Sequence, residues 1–378
     1  MDNAISVGGL GAIDGEIKQL VGRHLWSWDL CGRCTGRLSC NHTACPWSQN
    51  PRLDTFWDLY TRMTDAYSPE ILGRTPAIRS HTDLVNVMQA ILTSRTTTRV
   101  NLLRKIFEDG CPNGEKPPTL ADQNRAFNIG ASIVLLMDFG IWHDEANTLA
   151  TSYSPISWRS DASVDCFIDE AFPRIPTEPD TPDFITRLKV SKLMKHAKLC
   201  LRATNDIRRH LLLDKKNRIV WVFHQSTALR ELLLAPENGP TATLLPRELM
   251  IEVLDTIRYA LFPWDDKSQK LLKSFVLKRG WDKGLLSDLS SPYRSKNDPE
   301  PSYTYFGDRL RELHEEVLSP TPHGWLERRL QRKNETYMLR ATMYGVFIAV
   351  TLGFLGLGVA IFQAWVGYQQ WKHPVKDS

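Results

Sequence analysis

The sequence predicts a mainly α protein, with a helical cytosolic region, one small β-hairpin and a single C-terminal transmembrane helix. Three observations predict it. Apolar residues recur at steps of three and four through most of the chain, as in Met250, Ile251, Val253, Leu254, Ile257 and Leu261. The clearest strand signal is Arg218-Ile-Val-Trp-Val-Phe-His224, with its β-branched and aromatic density. Finally, the thirty-one residues of 341–371 contain no charged side chain.

Taken in order, helical patterns occupy 15–26, 54–67, 81–92, 97–108 and 120–137, all within an N-terminal helical region, 1–172. At 173–182, Pro173, Pro176, Pro179 and Pro182 recur every third residue. In a polyproline II helix they line one edge, which predicts a spacer and a boundary between two globular units. A second helical region, 183–318, holds patterns at 183–209, 247–261 and 305–318. Between the first two of these, 211–213, a polar turn at 214–217 and 218–224 read as one hairpin. Asp265-Asp266 reads as a helix start, and 290–302 as a polar loop. A juxtamembrane stalk, 319–340, a spanning helix, 341–366, and a short tail, 367–378, complete the chain.

The span is the most specific feature. Residues 341–366 reach roughly 39 Å at about 1.5 Å per residue, more than the roughly 30 Å of bilayer hydrocarbon. Trp365, Tyr368 and Trp371 then fall at the far interface, where aromatic rings keep their polar tips wet. Arg328, Arg329, Arg332, Lys333 and Arg340 outweigh Glu327 and Glu335 on the near side, which predicts a cytosolic bulk by the positive-inside tendency. The first twenty residues carry Asp2, Asp14 and Glu16 and have no secretory-signal pattern. The expected topology is tail-anchored and inserted after translation. Along the span, Gly345, Ala349, Gly353, Gly356, Ala360 and Ala364 recur at three and four, a small-residue seam suited to packing on a second copy.

The net charge of +4 dictates no partner, and 24% charged with 42% hydrophobic residues excludes wholesale disorder and a polytopic bundle. Charge is nevertheless uneven, for 187–218 holds eleven Lys or Arg against Asp206 and Asp214. Lys189, Lys192, Lys195, Lys198 and Arg202 fall at helical steps opposite Val190, Leu193, Met194, Ala197 and Leu201. That stripe is either a face for anionic lipid or a solvated side above a packed one.

Four of the seven cysteines crowd together as Cys31-x2-Cys34-x5-Cys40-x4-Cys45, with His42 between the last two. In a reducing compartment thiolates at this spacing suit tetrahedral zinc, with Cys31, Cys34, Cys40 and Cys45 as ligands and His42 as a substitute. Packed thiols or S-acylation are the alternatives. The spacing resembles a zinc knuckle with one extra residue and Cys40 in place of the histidine, a departure that weakens any nucleic-acid reading. No phosphate-binding loop, zinc-protease helix or nucleophile elbow is present, and the pair His196 and Cys200 reads as packing.

Phe306-Gly-Asp-Arg-Leu310, Gly324-Trp325, Ile361-Phe-Gln-Ala-Trp365 and Gln370-Trp-Lys-His-Pro374 together resemble an uncharacterised family of filamentous-fungal single-span membrane proteins. The resemblance extends weakly to 203–206 and 210–214 and so covers the C-terminal half. It implies membrane attachment and carries over no catalytic residue. The functional expectation is a membrane-bound interaction or scaffold protein. A membrane-tethered enzyme with a site assembled from distant residues and a zinc-knuckle-like nucleic-acid binder are the competing classes.

Overall fold

A computed structural model of the chain describes residues 9–34, 40–42, 45–69, 75–109, 116–141, 156–175, 188–235, 243–286, 293–295, 298, 303–321 and 325–372. At 61% helix and 5% strand it has the mainly α class that the periodicity predicts. The chain forms two compact units, Met1–Pro320 and Thr321–Ser378.

In the first unit, α1 (Gly15–Leu25) starts at Asp14, whose carboxylate accepts from the Ile17 amide at 2.8 Å. A 3-10 helix, Pro46–Leu53, runs into α2 (Asp54–Asp65). Next, α3 (His81–Thr93) opens with a reciprocal capping box between Ser80 and Asp83. It packs against α1 and α5 (Leu120–Leu135), with α4 (Arg99–Phe107) between α3 and α5 in sequence. A short α6 (Val164–Ala171) follows. These elements bury the apolar stripes that define them, including Leu84, Met88, Ile91, Phe127 and Leu135. Full burial of such a side chain stabilises by about 1.5–3 kcal/mol.

The segment expected as one helix over 183–209 is built otherwise. Within it, 183–187 lie outside the described residues, α7 spans only Val190–Lys195, and β1 spans Cys200–Thr204. Lys198 takes a left-handed φ of 52°, which ends the helix and redirects the chain. β1 then pairs in parallel with β3 (Ile219–Phe223), from Cys200 opposite Ile219 to Thr204 opposite Phe223. The expected hairpin is present, with β2 (Leu213–Asp214) antiparallel to β3. The sheet therefore has three strands in the order β1-β3-β2, one more than the hairpin alone. All five residues of β3 are buried, which accounts for its unbroken apolar run. Lys189, Lys192, Lys195, Lys198 and Arg202 consequently lie across a helix, a turn and a strand, and no single helical face carries them.

After the sheet come α8 (Ser226–Leu234), α9 (Arg247–Asp255) continued by a π-helical turn at Thr256–Leu261, α10 (Asp266–Arg279) and α11 (Gly307–Leu318). Asp265 does start α10, accepting from the Ser268 amide at 3.0 Å.

The boundary expected at 173–182 does not separate two bodies, since residues on both sides share one core and one compact unit. The Ile207 amide donates to Leu136 O at 2.9 Å, Arg208 Nη2 to Asp138 O at 3.2 Å, and Lys283 pairs with Asp54 at 2.9 Å. Neither half seals its apolar faces alone. Pro173 is described, whereas Pro176, Pro179 and Pro182 lie outside the described residues, as does most of 290–302.

The second unit is built on α12 (Trp325–Lys372), one continuous helix of 48 residues through the expected stalk and span. Its apolar stretch, Met343–Gln369, has 27 residues, reaches a mean hydropathy of 2.4 over its most apolar eighteen, and is not buried there. That length corresponds to roughly 40 Å, enough to cross a bilayer with some tilt.

Candidate metal centre

The four clustered cysteines converge. Their sulfur atoms all lie within 4.8 Å of one another, with Cys31 Sγ 3.6 Å from Cys40 Sγ and Cys34 Sγ 3.6 Å from Cys45 Sγ. A tetrahedron of thiolates around zinc, with bonds of about 2.3 Å, has edges of roughly 3.8 Å. The observed separations bracket that edge. Sulfurs in a disulfide stand about 2.05 Å apart, so these are four free thiols.

The surrounding sequence explains why the thiols meet. α1 ends at Trp26, and Ser27 takes a left-handed φ of 56°, turning the chain back so that the Trp28 amide donates to Gly22 O at 3.2 Å. A Cβ at Gly22 would lie 2.2 Å from Cε3 of Trp28, so this position admits only glycine if the indole is to sit there. Trp28 packs on Trp26 at 4.9 Å and on Trp47 at 6.1 Å. Its Nε1 donates to Glu231 Oε2 of α8 at 2.9 Å, 203 positions away. Cys31 and Cys34 therefore hang from α1 and the Trp28 anchor. Cys45 immediately precedes the 3-10 helix opened by Pro46, whose Trp47 is fully buried in the same aromatic cluster. Gln19 Nε2 fixes the first loop by donating to Cys34 O at 2.8 Å.

Backbone geometry around the sulfurs suits thiolate ligation. The Cys34 amide donates to Cys31 O at 3.1 Å, the Cys45 amide to His42 O at 3.0 Å, and the His42 amide reaches Cys40 Sγ at 3.5 Å. The first two bonds shape the turns, and the third, from the His42 amide, is of the kind that would orient a metal-bound sulfur and temper its charge. His42 thus contributes its backbone, and its exposed side chain is not among the converging groups. Cys34 and Cys45 are buried at 1% and 3% exposure, while Cys31 and Cys40 are half-buried. Burial pushes the Cys34 thiol up to about 12. Hydrogen bonds with Cys34 and Cys40 bring Cys31 down to about 7. A metal ion must displace these protons, so binding here releases protons and strengthens as pH rises. Residues 35–39, with Gly36 among them, and 43–44 lie outside the described residues.

The other buried ionisable groups have structural partners that local sequence patterns do not disclose. His210 accepts the Phe223 amide at Nδ1, 3.2 Å away, and places Nε2 2.7 Å from Thr256 Oγ1, while burial holds its pKa well below the ordinary value. Asp282 accepts from the Thr227 and Gly284 amides and from the Ser226 and Thr227 hydroxyls, fixing the start of α8. Glu252 accepts from the Tyr305 and Phe306 amides at 3.0 and 2.5 Å, just ahead of α11, and burial raises it to about 7. Each of these sites is consumed by holding elements together. His196 and Cys200, the pair weighed from the sequence, are both exposed, one at the end of α7 and the other opening β1. A cavity of about 30 Å³ lies beside the π-helical turn, between Arg230, Arg258 and Trp264, and a wide surface hollow of about 380 Å³ adjoins α3 and α4.

No family profile, curated protein or solved structure matches this chain.

Proposed function

We propose that the protein is a single-span membrane-anchored interaction or scaffold protein that holds its helical unit, Met1–Pro320, on the cytosolic side and staples the start of that unit with a structural zinc ion. The observation that carries the anchor is Met343–Gln369, a predominantly apolar stretch of 27 residues with no charged side chain and no buried part. A helix of that kind finds its favourable environment in hydrocarbon, where all its backbone groups are satisfied internally. The basic residues ahead of the span support the cytosolic side. The resemblance of 306–310 and 361–374 to fungal single-span proteins points to the same attachment. Protease added to sealed microsomes should digest residues 1–320, and protection of that unit would overturn the orientation.

Zinc is the metal that four thiolates in a tetrahedral, water-poor arrangement suit best. Cys31, Cys34, Cys40 and Cys45 would hold it, leaving no position open for a reacting water. The ion's contribution is therefore to fold the loop that joins α1 to the 3-10 helix, and the aromatic cluster beneath transmits that order to α8. Metal analysis of the full chain in detergent should return one zinc per chain, lost in step with alkylation of these four thiols. A metal-free preparation from zinc-replete cells would refute this part.

Self-association through the span completes the proposal. Its support is the recurrence of Gly345, Ala349, Gly353, Gly356, Ala360 and Ala364 at steps of three and four, which lets a second backbone approach closely.

A further inference from the structure

The metal ligands divide by exposure into an outer and an inner pair. Cys31 and Cys40 are half-buried, with their sulfurs 3.6 Å apart, whereas Cys34 and Cys45 are buried and likewise 3.6 Å apart. A small oxidant arriving from water meets the outer pair first. We propose that Cys31 and Cys40 form a thiol-oxidation site at which hydrogen peroxide joins the two sulfurs in a disulfide and thereby ejects the metal. The ejection step rests on the zinc reading above, but the pairing does not.

The chemistry balances without a further reactant. One outer thiolate attacks an oxygen of hydrogen peroxide, the O–O bond breaks, and the departing hydroxide takes up a proton as water, leaving a sulfenic acid. The second outer thiolate attacks that sulfur. The S–O bond breaks, hydroxide leaves and is protonated to a second water, and the S–S bond forms. Two thiols and one peroxide thus give one disulfide and two waters, with two electrons passing from sulfur to oxygen. Zinc then keeps only Cys34 and Cys45, half its tetrahedral set, and leaves as a hydrated ion.

Sequence spacing alone would favour Cys31 with Cys34, the two-residue gap familiar from redox motifs. The fold disfavours that choice, because Cys34 is 1% exposed and its thiol donates to Cys31 O at 3.2 Å. The outer pair instead bridges the two ends of the loop, nine positions apart. Closing it by about 1.5 Å to bonding distance is a side-chain adjustment. The inner pair, buried at 1% and 3% exposure, stays reduced.

The test titrates hydrogen peroxide into the zinc-loaded full chain in detergent micelles. Zinc release is followed with a chromogenic chelator, and disulfides are mapped by alkylation and peptide mass analysis. The expected first product is Cys31–Cys40, with one zinc released per disulfide and with Cys34 and Cys45 still alkylatable after denaturation. A first disulfide that includes Cys34 or Cys45, retention of zinc after Cys31–Cys40 has formed, or no reaction at the cluster would overturn the proposal. A metal-free arm is mapped in parallel. If the chain binds no zinc, the zinc reading fails, while the identity of the first disulfide in that arm still decides the pairing.

Discussion

Replacing Trp28 by Phe keeps an aromatic ring among Trp26 and Trp47 but deletes the donor that reaches Glu231 Oε2 at 2.9 Å. Both partners are buried, at 6% and 8% exposure, so water does not take the donor's place. The carboxylate loses a charge-assisted hydrogen bond worth about 1.5–3 kcal/mol. A central loss of about 2 kcal/mol is roughly a thirty-fold shift in the unfolding equilibrium. The sign of the pH dependence follows from the same contact. Burial raises Glu231, and the Trp28 bond pulls it partly back. Without that bond the folded-state pKa rises further, so the variant binds its proton more tightly than wild type and loses more stability as pH climbs. The penalty should be greatest at neutral pH and shrink toward about 1 kcal/mol in acid, where a protonated carboxyl loses only a neutral hydrogen bond. Urea unfolding of the full chain in detergent at several pH values, followed by tryptophan fluorescence, measures it. A penalty below about 0.5 kcal/mol, or one that does not change with pH, would refute the role given to this contact.

Further outcomes are expected elsewhere. Burial raises the Glu252 carboxyl from the ordinary 4.5 to about 7, so the native chain holds the extra proton across that window and its stability falls as pH rises through it. Glu252→Gln should flatten that part of the stability profile, and an unchanged slope in thermal unfolding would count against it. Gly22→Ala puts a methyl into the Trp28 ring, and small-to-large strain of this kind costs about 1–3 kcal/mol. It should lower both the unfolding midpoint and zinc retention, whereas a chain that keeps both would show that Trp28 sits elsewhere. Gly353→Leu with Gly356→Leu should abolish self-association in a membrane two-hybrid assay without loss of insertion, and an unaltered signal would reject the seam.

Much of the fold is legible in the sequence because its signals are local. The helices at 15–26, 54–67 and 120–137 announce themselves by apolar spacing and lie where expected to within a few residues. The long apolar helix is legible because an uncharged run of that length has few other uses in a folded chain. The convergence of Cys31, Cys34, Cys40 and Cys45 is legible because thiols are rare enough for four in fifteen residues to be informative. What escapes is tertiary. Lys189 to Arg202 carry a helical charge period, but Cys200 to Thr204 pair along β3, and that pairing overrides the local pattern. Pro173 to Pro182 resemble a linker, and the shared burial of residues such as Leu136 and Ile207, with the polar contacts between the halves, is not written in local spacing. The bond from Trp28 to Glu231 spans 203 positions, and no local periodicity foretells it.

The central claim is that α12 resides in a bilayer, and alkaline carbonate washing of membranes from cells making the full chain tests it most directly. Anchorage predicts that the chain stays in the pellet and is released only by detergent. Recovery in the carbonate supernatant would contradict it.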